Sequence, residues 1–202
     1  MSASHKLQLT FAILKPDLML RPLAAHTVRT LMIREGLWIV RSALLRWETE
    51  DAQKFYAEHE GKFFYDRLVS YMTSGPINPM ILAHPNAVET WRKMMGPTKS
   101  YVAQATAPDS IRGQFGLSDT RNSTHGADSD ASAQREMQIL FPDFDPEEWH
   151  RNEEEEFRNG TVKYCKLKHQ HVLDTNQSHR DAETDSGLHV VFSSRHQLKT
   201  LE

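Results

Sequence analysis

With 202 residues, of which 39% are hydrophobic and 25% charged, the chain can bury one substantial core and reads as one main domain. Its longest apolar runs, Gly36 to Val40 and Pro79 to Ala83, fall far short of the roughly 20 residues that a membrane-spanning helix needs, so membrane insertion is not expected. A net charge of −3 argues against a duplex nucleic-acid binder, and attraction for an anionic ligand must then come from individually placed lysines and arginines.

No basic segment followed by an apolar stretch opens the chain, which speaks against secretion. The single cysteine, Cys165, cannot form an internal disulfide or a cysteine-based metal site, fits a reducing compartment and reads as a bystander.

Residues 7 to 14 alternate: Leu7, Leu9, Phe11 and Ile13 share one face, and the stretch turns apolar on both faces at its end, as a central strand does. Lys15-Pro16-Asp17 stops it. From Pro22 to Glu35, Ala24, Val28, Leu31 and Met32 recur at helical spacing, and Gly36 supplies a left-handed stop. Gly36 to Leu45 returns to an extended pattern. Thr49 is the expected cap of a helix running to about Gly61, and a further helix is expected from Phe64 to Thr73, ended by Ser74-Gly75-Pro76. A short strand, Pro79 to Ala83, precedes a helix with Pro85 in its first turn and Val88, Trp91 and Met95 inward. Pro97 to Pro108 reads as a loop of about a dozen residues, long enough to suspect function or disorder. The polar stretch Asp119 to Asp128 leads into a helix capped by Asp128 or Ser129, with Ala133, Met137, Leu140 and Phe141 inward. An acidic run, Glu153 to Glu156, and a last strand, Thr161 to Leu167, follow. The expected domain is 1–168, and residues 169–202 read as a polar, unstructured tail. Alternating strands and helices give an α/β class, with helices layered over a sheet.

Three polar spots can carry chemistry: Lys15 at a strand end, the set Arg92, Thr98 and Arg112 around the long loop, and the segment Asn122 to Ser129. On pattern alone each has a plainer reading. Lys15 would be a solvated strand end, Arg92 a surface charge, Glu136 an exposed helical carboxylate, and Tyr56 and Phe64 core aromatics. His125 stands out because a histidine followed by glycine in a polar loop leaves room for a substrate.

The blocks FAILKPD, SYMTSGPI and RNSTHGADS, in this order within roughly residues 7 to 150, resemble the nucleoside diphosphate kinase family. Extra residues between Thr98 and Arg112 and the FPDF segment, Phe141 to Phe144, resemble its divergent type-six subgroup. The resemblance implies a ferredoxin-like fold, an antiparallel sheet covered by helices with a polar C-terminal extension. It implies a ping-pong transfer of the γ-phosphate of a nucleoside triphosphate such as ATP to a nucleoside diphosphate through phosphorylated His125. Glu136 would hold the second ring nitrogen, with Tyr56 close by; Lys15, Arg92, Thr98 and Arg112 would bind phosphate. Asn122 and Lys15 would meet the ribose, Phe64 would stack on the base, and Asp128 would hold Mg2+ through water. The implied partners are nucleoside triphosphates and diphosphates, with a homo-oligomer or a regulatory partner protein. Subgroup resemblance suggests a mitochondrial location, with the cytoplasm as the alternative. Two departures are expected to lower activity: Ala127 replaces a usual serine, and Asp119 stands where an apolar residue commonly faces the base. The rival readings are a nucleotide-binding regulatory module with weak or partner-dependent activity and, with less behind it, a nucleic-acid-binding regulator.

Overall fold

Alternation in the first apolar segment becomes β1 (Gln8–Leu14), whose two faces enter two different cores. Leu9, Phe11 and Ile13 join one cluster, and Ala12 and Leu14 join the other, as a period of two requires of a strand covered on both sides. The structure is a computed structural model and describes residues 6–174.

Chain order continues with α1 (Pro16–Met19), α2 (Pro22–Arg34), β2 (Trp38–Ser42), β3 (Leu45–Arg46), α3 (Thr49–Phe55), α4 (Tyr65–Met72) and β4 (Pro76–His84). Then come α5 (Ala87–Met95), α6 (Ser100–Thr106), α7 (Ile111–Phe115), β5 (Thr124–Gly126), α8 (Asp130–Leu140), α9 (Pro146–Asn152), α10 (Glu154–Arg158), β6 (Val162–Cys165) and β7 (Gln170–Leu173). The main sheet runs β2-β4-β1-β5 with β3 also on β4, and its pairings are antiparallel. The fold is therefore the expected antiparallel sheet covered by helices. One core holds Phe55, Met72, Met137 and Trp149, and the opposite one holds Val28, Met32, Trp91 and Ile111.

Several expectations need correction. Thr49 is the first helical residue and not the cap: Glu48 caps α3 through a reciprocal capping box with Asp51. β4 starts at Pro76, three residues early, because Pro79 needs no amide there; it contributes its carbonyl, which accepts from the Ala43 amide at 3.1 Å. Pro85 precedes α5, which Asn86 caps. The supposed loop 97–108 contains α6, and α7 follows, capped by Ser110. The acidic run forms α10.

The ordered domain also passes the expected boundary at residue 168. β6 and β7 form a hairpin, and His171 is buried. This hairpin lies along β2, where the His171 Nδ1 accepts from the Ile39 amide (2.9 Å) and the Gln170 Oε1 from the Ser42 amide (3.2 Å). The remainder of the expected tail lies outside the described residues. Among the described residues no helix is long and apolar enough to cross a membrane.

Candidate active site

Sheet register brings the separated motifs together. In the β1–β5 pairing Ile13 stands opposite His125 and Leu14 opposite Thr124, and the Lys15 amide donates to the Ser123 carbonyl at 2.9 Å. The end of FAILKPD thus lies against RNSTHG. His125 belongs to a short strand, not to the loop expected for it.

Next to His125, the room left by Gly126 is taken by protein, not by a substrate. A Cβ on Gly126 would lie 2.5 Å from the Trp91 Cδ1, and the Trp91 Nε1 donates to the His125 carbonyl at 3.1 Å. Glycine is therefore a packing requirement here. The imidazole is ringed edge-on by Phe55 (5.3 Å between centroids), Tyr56 (6.2 Å) and Phe11 (6.3 Å).

Glu136 is the group that the plain reading misplaces most. It is 3% exposed, and its Oε2 lies 2.8 Å from the His125 Nε2, while its Oε1 lies 3.7 Å from the Arg135 guanidinium. A carboxylate only accepts, so this contact fixes the imidazole proton on Nε2 and leaves the lone pair on Nδ1. Tyr56 is buried as a core aromatic, yet its hydroxyl has no partner among the described residues; burial first, and then Glu136, push its pKa up. Aromatic contacts continue outward, with His59 stacked on Tyr56 at 6.0 Å and Phe64 edge-on to His59 at 5.5 Å. Phe64 is half-buried at the N-terminus of α4.

The cations behave as a set. Lys15 is buried, not solvated, and its Nζ donates to the Asn122 Oδ1 at 2.8 Å. Burial first, and then the Arg112 charge, lower its pKa to about 7 against the opposing pull of Asp17. Arg112 is buried too, donating to the carbonyls of Gly96 (2.8 Å) and Thr124 (3.1 Å) and leaving Nε without a partner among the described residues. Burial and the Arg92 charge lower its pKa to about 10. Arg92 is exposed on α5, as expected. Asn122 ties the set to Thr98, whose carbonyl accepts from its Nδ2 at 3.0 Å. Two buried cations beside an exposed third, with the Arg112 charge acting on Lys15 and the Arg92 charge on Arg112, form a natural seat for a polyanion.

Asp128 is exposed; its carboxylate accepts from the Ser132 Oγ (2.7 Å) and the Ser129 Oγ (3.1 Å), bonds that hold its pKa down. Ser129, and not Asp128, caps α8. Ala127 is packed in the core with Ala133 and Met137. Sequence reasoning missed Asp17 and Tyr71, and held Ser123 only as one member of the segment Asn122 to Ser129. The Asp17 carboxylate accepts from the Tyr71 hydroxyl and from the Ser123 Oγ (3.2 Å), and so clamps Ser123 in a left-handed conformation, φ 66°. Asp17 closes the FAILKPD block, and a carboxylate directly after a strand-ending Lys-Pro is the signal that marks it.

The sequence profile of the family described as nucleoside diphosphate kinase matches residues 8–145. The chain is 51% identical over 158 residues to nucleoside diphosphate kinase 6 of Mus musculus, covering 78% of this chain and 84% of that protein. It is 52% identical over 158 residues to the Homo sapiens protein of the same name, covering 78% and 85%. Among solved structures, a nucleoside diphosphate kinase of Aquifex aeolicus superposes with a TM-score of 0.65 at 36% identity, covering 67% of this chain and 95% of that one. A halophilic nucleoside diphosphate kinase from Halobacterium salinarum in complex with CDP gives 0.62 at 35%, covering 72% and 99%. With its fold, its motifs and these relatives in agreement, the chain belongs to the nucleoside diphosphate kinase family, on the type-six side of it.

Proposed function

We propose that this chain moves the γ-phosphoryl group of a nucleoside triphosphate to a nucleoside diphosphate in two half-reactions through phosphorylated His125. The observation that carries this reading is the 2.8 Å contact between the His125 Nε2 and the buried Glu136, which leaves Nδ1 as the nucleophilic nitrogen. Nδ1 attacks the γ-phosphorus, the bond to the bridging oxygen breaks, and the diphosphate leaves. A second diphosphate then attacks phosphohistidine, and its terminal oxygen takes the phosphoryl group away. As positive charge develops on the imidazole, Glu136 stabilises it across the Nε2 proton. Arg92 and Arg112 hold phosphate oxygens as planar forks, Lys15 supplies a point charge, and Thr98 donates its hydroxyl. Bonds broken and made are nearly alike, so the equilibrium constant lies near one and substrate ratios set the direction.

Among the described residues no cluster of three or more acidic, histidine or cysteine side chains can cage a metal. Mg2+ fits nonetheless as a companion of the substrate phosphates, because the exposed Asp128 carboxylate can accept from its water shell. When bound, Mg2+ supplies charge neutralisation on the phosphate oxygens.

Incubating the purified chain and His125→Ala with labelled ATP and Mg2+ should give acid-labile, alkali-stable label on the parent alone. Added GDP should carry that label into GTP. Label on neither protein defeats the proposal; label that forms and does not leave favours the regulatory module instead. We also propose a mitochondrial location, supported by the type-six resemblance, which import into isolated mitochondria tests.

A further inference from the structure

We propose that Asp17 is a positioning residue of the phosphotransfer site: by holding Ser123 it fixes the turn that presents Asn122 to Lys15 and His125 to Glu136, an inference that rests on the kinase reading above.

The turn is as tight as a backbone allows. The Thr124 amide donates to the Asn122 carbonyl at 2.7 Å, which closes a ring around Ser123 with its φ at 66°. Such a turn at positive φ is strained for a residue with a side chain, and it persists only where neighbours over-determine it. Two neighbours do so here. The Lys15 amide donates to the Ser123 carbonyl at 2.9 Å, and the Ser123 Oγ donates to the Asp17 carboxylate at 3.2 Å, so Ser123 is gripped by its backbone and by its side chain.

Both arms of the turn carry functional groups. On one side the Asn122 side chain accepts from the Lys15 Nζ (2.8 Å) and donates to the Thr98 carbonyl (3.0 Å). On the other, the Thr124 carbonyl accepts from Arg112 (3.1 Å), and His125 follows, 2.8 Å from Glu136. A turn that relaxed to negative φ at Ser123 would re-aim both arms at once, and phosphoryl transfer is sensitive to misplacements of that size.

Asp17 is itself held. Its side chain is 3% exposed, the Tyr71 hydroxyl from α4 donates to its Oδ1, and the Arg21 guanidinium lies 3.9 Å from its Oδ2. Its charge has a second effect, because it opposes the burial and the Arg112 charge from α7 that draw the proton off Lys15. Hold and charge can be separated: Ser123→Ala cuts the hold and leaves the charge, whereas Asp17→Asn keeps an acceptor for Ser123 and removes the charge.

The test follows ADP affinity between pH 6 and 9, and single-turnover labelling of His125 by ATP, in the full chain and in Ser123→Ala, Ser123→Gly, Asp17→Asn and Tyr71→Phe. Ser123→Ala should label about tenfold more slowly than the parent at saturating ATP, and Ser123→Gly, whose backbone takes positive φ without strain, should recover most of that loss. In the parent, ADP affinity should begin to fall at about pH 7, where Lys15 gives up its proton. Asp17→Asn should move that onset to lower pH, and Tyr71→Phe, which keeps the charge, should leave it in place. Ser123→Ala at the parental rate, Ser123→Gly no faster than Ser123→Ala, or an onset that Asp17→Asn leaves unmoved or Tyr71→Phe moves as far, overturns the inference and leaves the kinase reading intact. If the parent takes no label, the kinase reading falls and the inference with it.

Discussion

Lys15 sits where a chemist would least expect a cation, sealed at a strand end with a pKa lowered to about 7 from the usual 10.5. Such a group costs stability in full below about pH 7, where both folded and unfolded chains hold the proton; the cost is relieved as pH rises from about 7 toward 10.5. A bound phosphate reverses the balance by favouring the protonated amine. Nucleotide affinity should therefore fall as pH rises above about 7, and Lys15→Met should flatten that slope in titrations between pH 6 and 9. For Glu136→Gln, a hydrogen bond to a charged group is lost as positive charge grows on His125. We expect the rate of histidine phosphorylation to drop about 10- to 150-fold, from roughly 1.5–3 kcal/mol, with the fold retained by circular dichroism. Single-turnover labelling at matched ATP measures it, and an unchanged rate would remove Glu136 from the mechanism.

At the scale of elements, β5 is only three residues long and is held on one side by β1 and on the other by the Trp91 indole on α5. Gly126→Ala drives a methyl into that ring, which overpacking data put at about 1–3 kcal/mol, and urea unfolding should show the loss. Phosphorylation of His125 should fall with it. These dependencies explain which parts of the molecule could be read from the sequence. β1, α2 and α5 were legible because their apolar residues recur over two or more periods. α6 and α7 were not, since helices of seven and five residues show too little period and are fixed by packing of Ala103 and Ile111. Nor could pattern reveal that Lys15 and Glu136 are buried, because a polar residue at an element's end is shown to water or hidden from it by distant partners. Resemblance singled out His125, Glu136 and Tyr56, which the fold brings side by side, while the Asp17 clamp on Ser123 depends on Tyr71, 54 positions away.

Across the whole molecule, the sheet is completed by side chains as well as by strands. The β6–β7 hairpin closes the free edge of β2 with His171 and Gln170, and Arg41 adds a two-point grip on Glu153 at 2.6 and 3.1 Å. An unpaired edge is a template for association. Ending the chain at Gly160 should speed hydrogen exchange at the Ile39 and Ser42 amides and promote self-association in sedimentation; unchanged exchange would show that the hairpin does not guard the edge. Register has a different reach. Because His125 faces Ile13 across an antiparallel pair, side chains one position apart point to opposite sides of the sheet. A residue inserted within β1 or β5 would turn the imidazole away from Glu136 and toward the layer of α2 and α5. The stretch between Thr98 and Arg112 stands under no such parity rule. Length variation within this family is therefore expected to gather in that arm, where residues can be added in any number without turning the His125 side chain over.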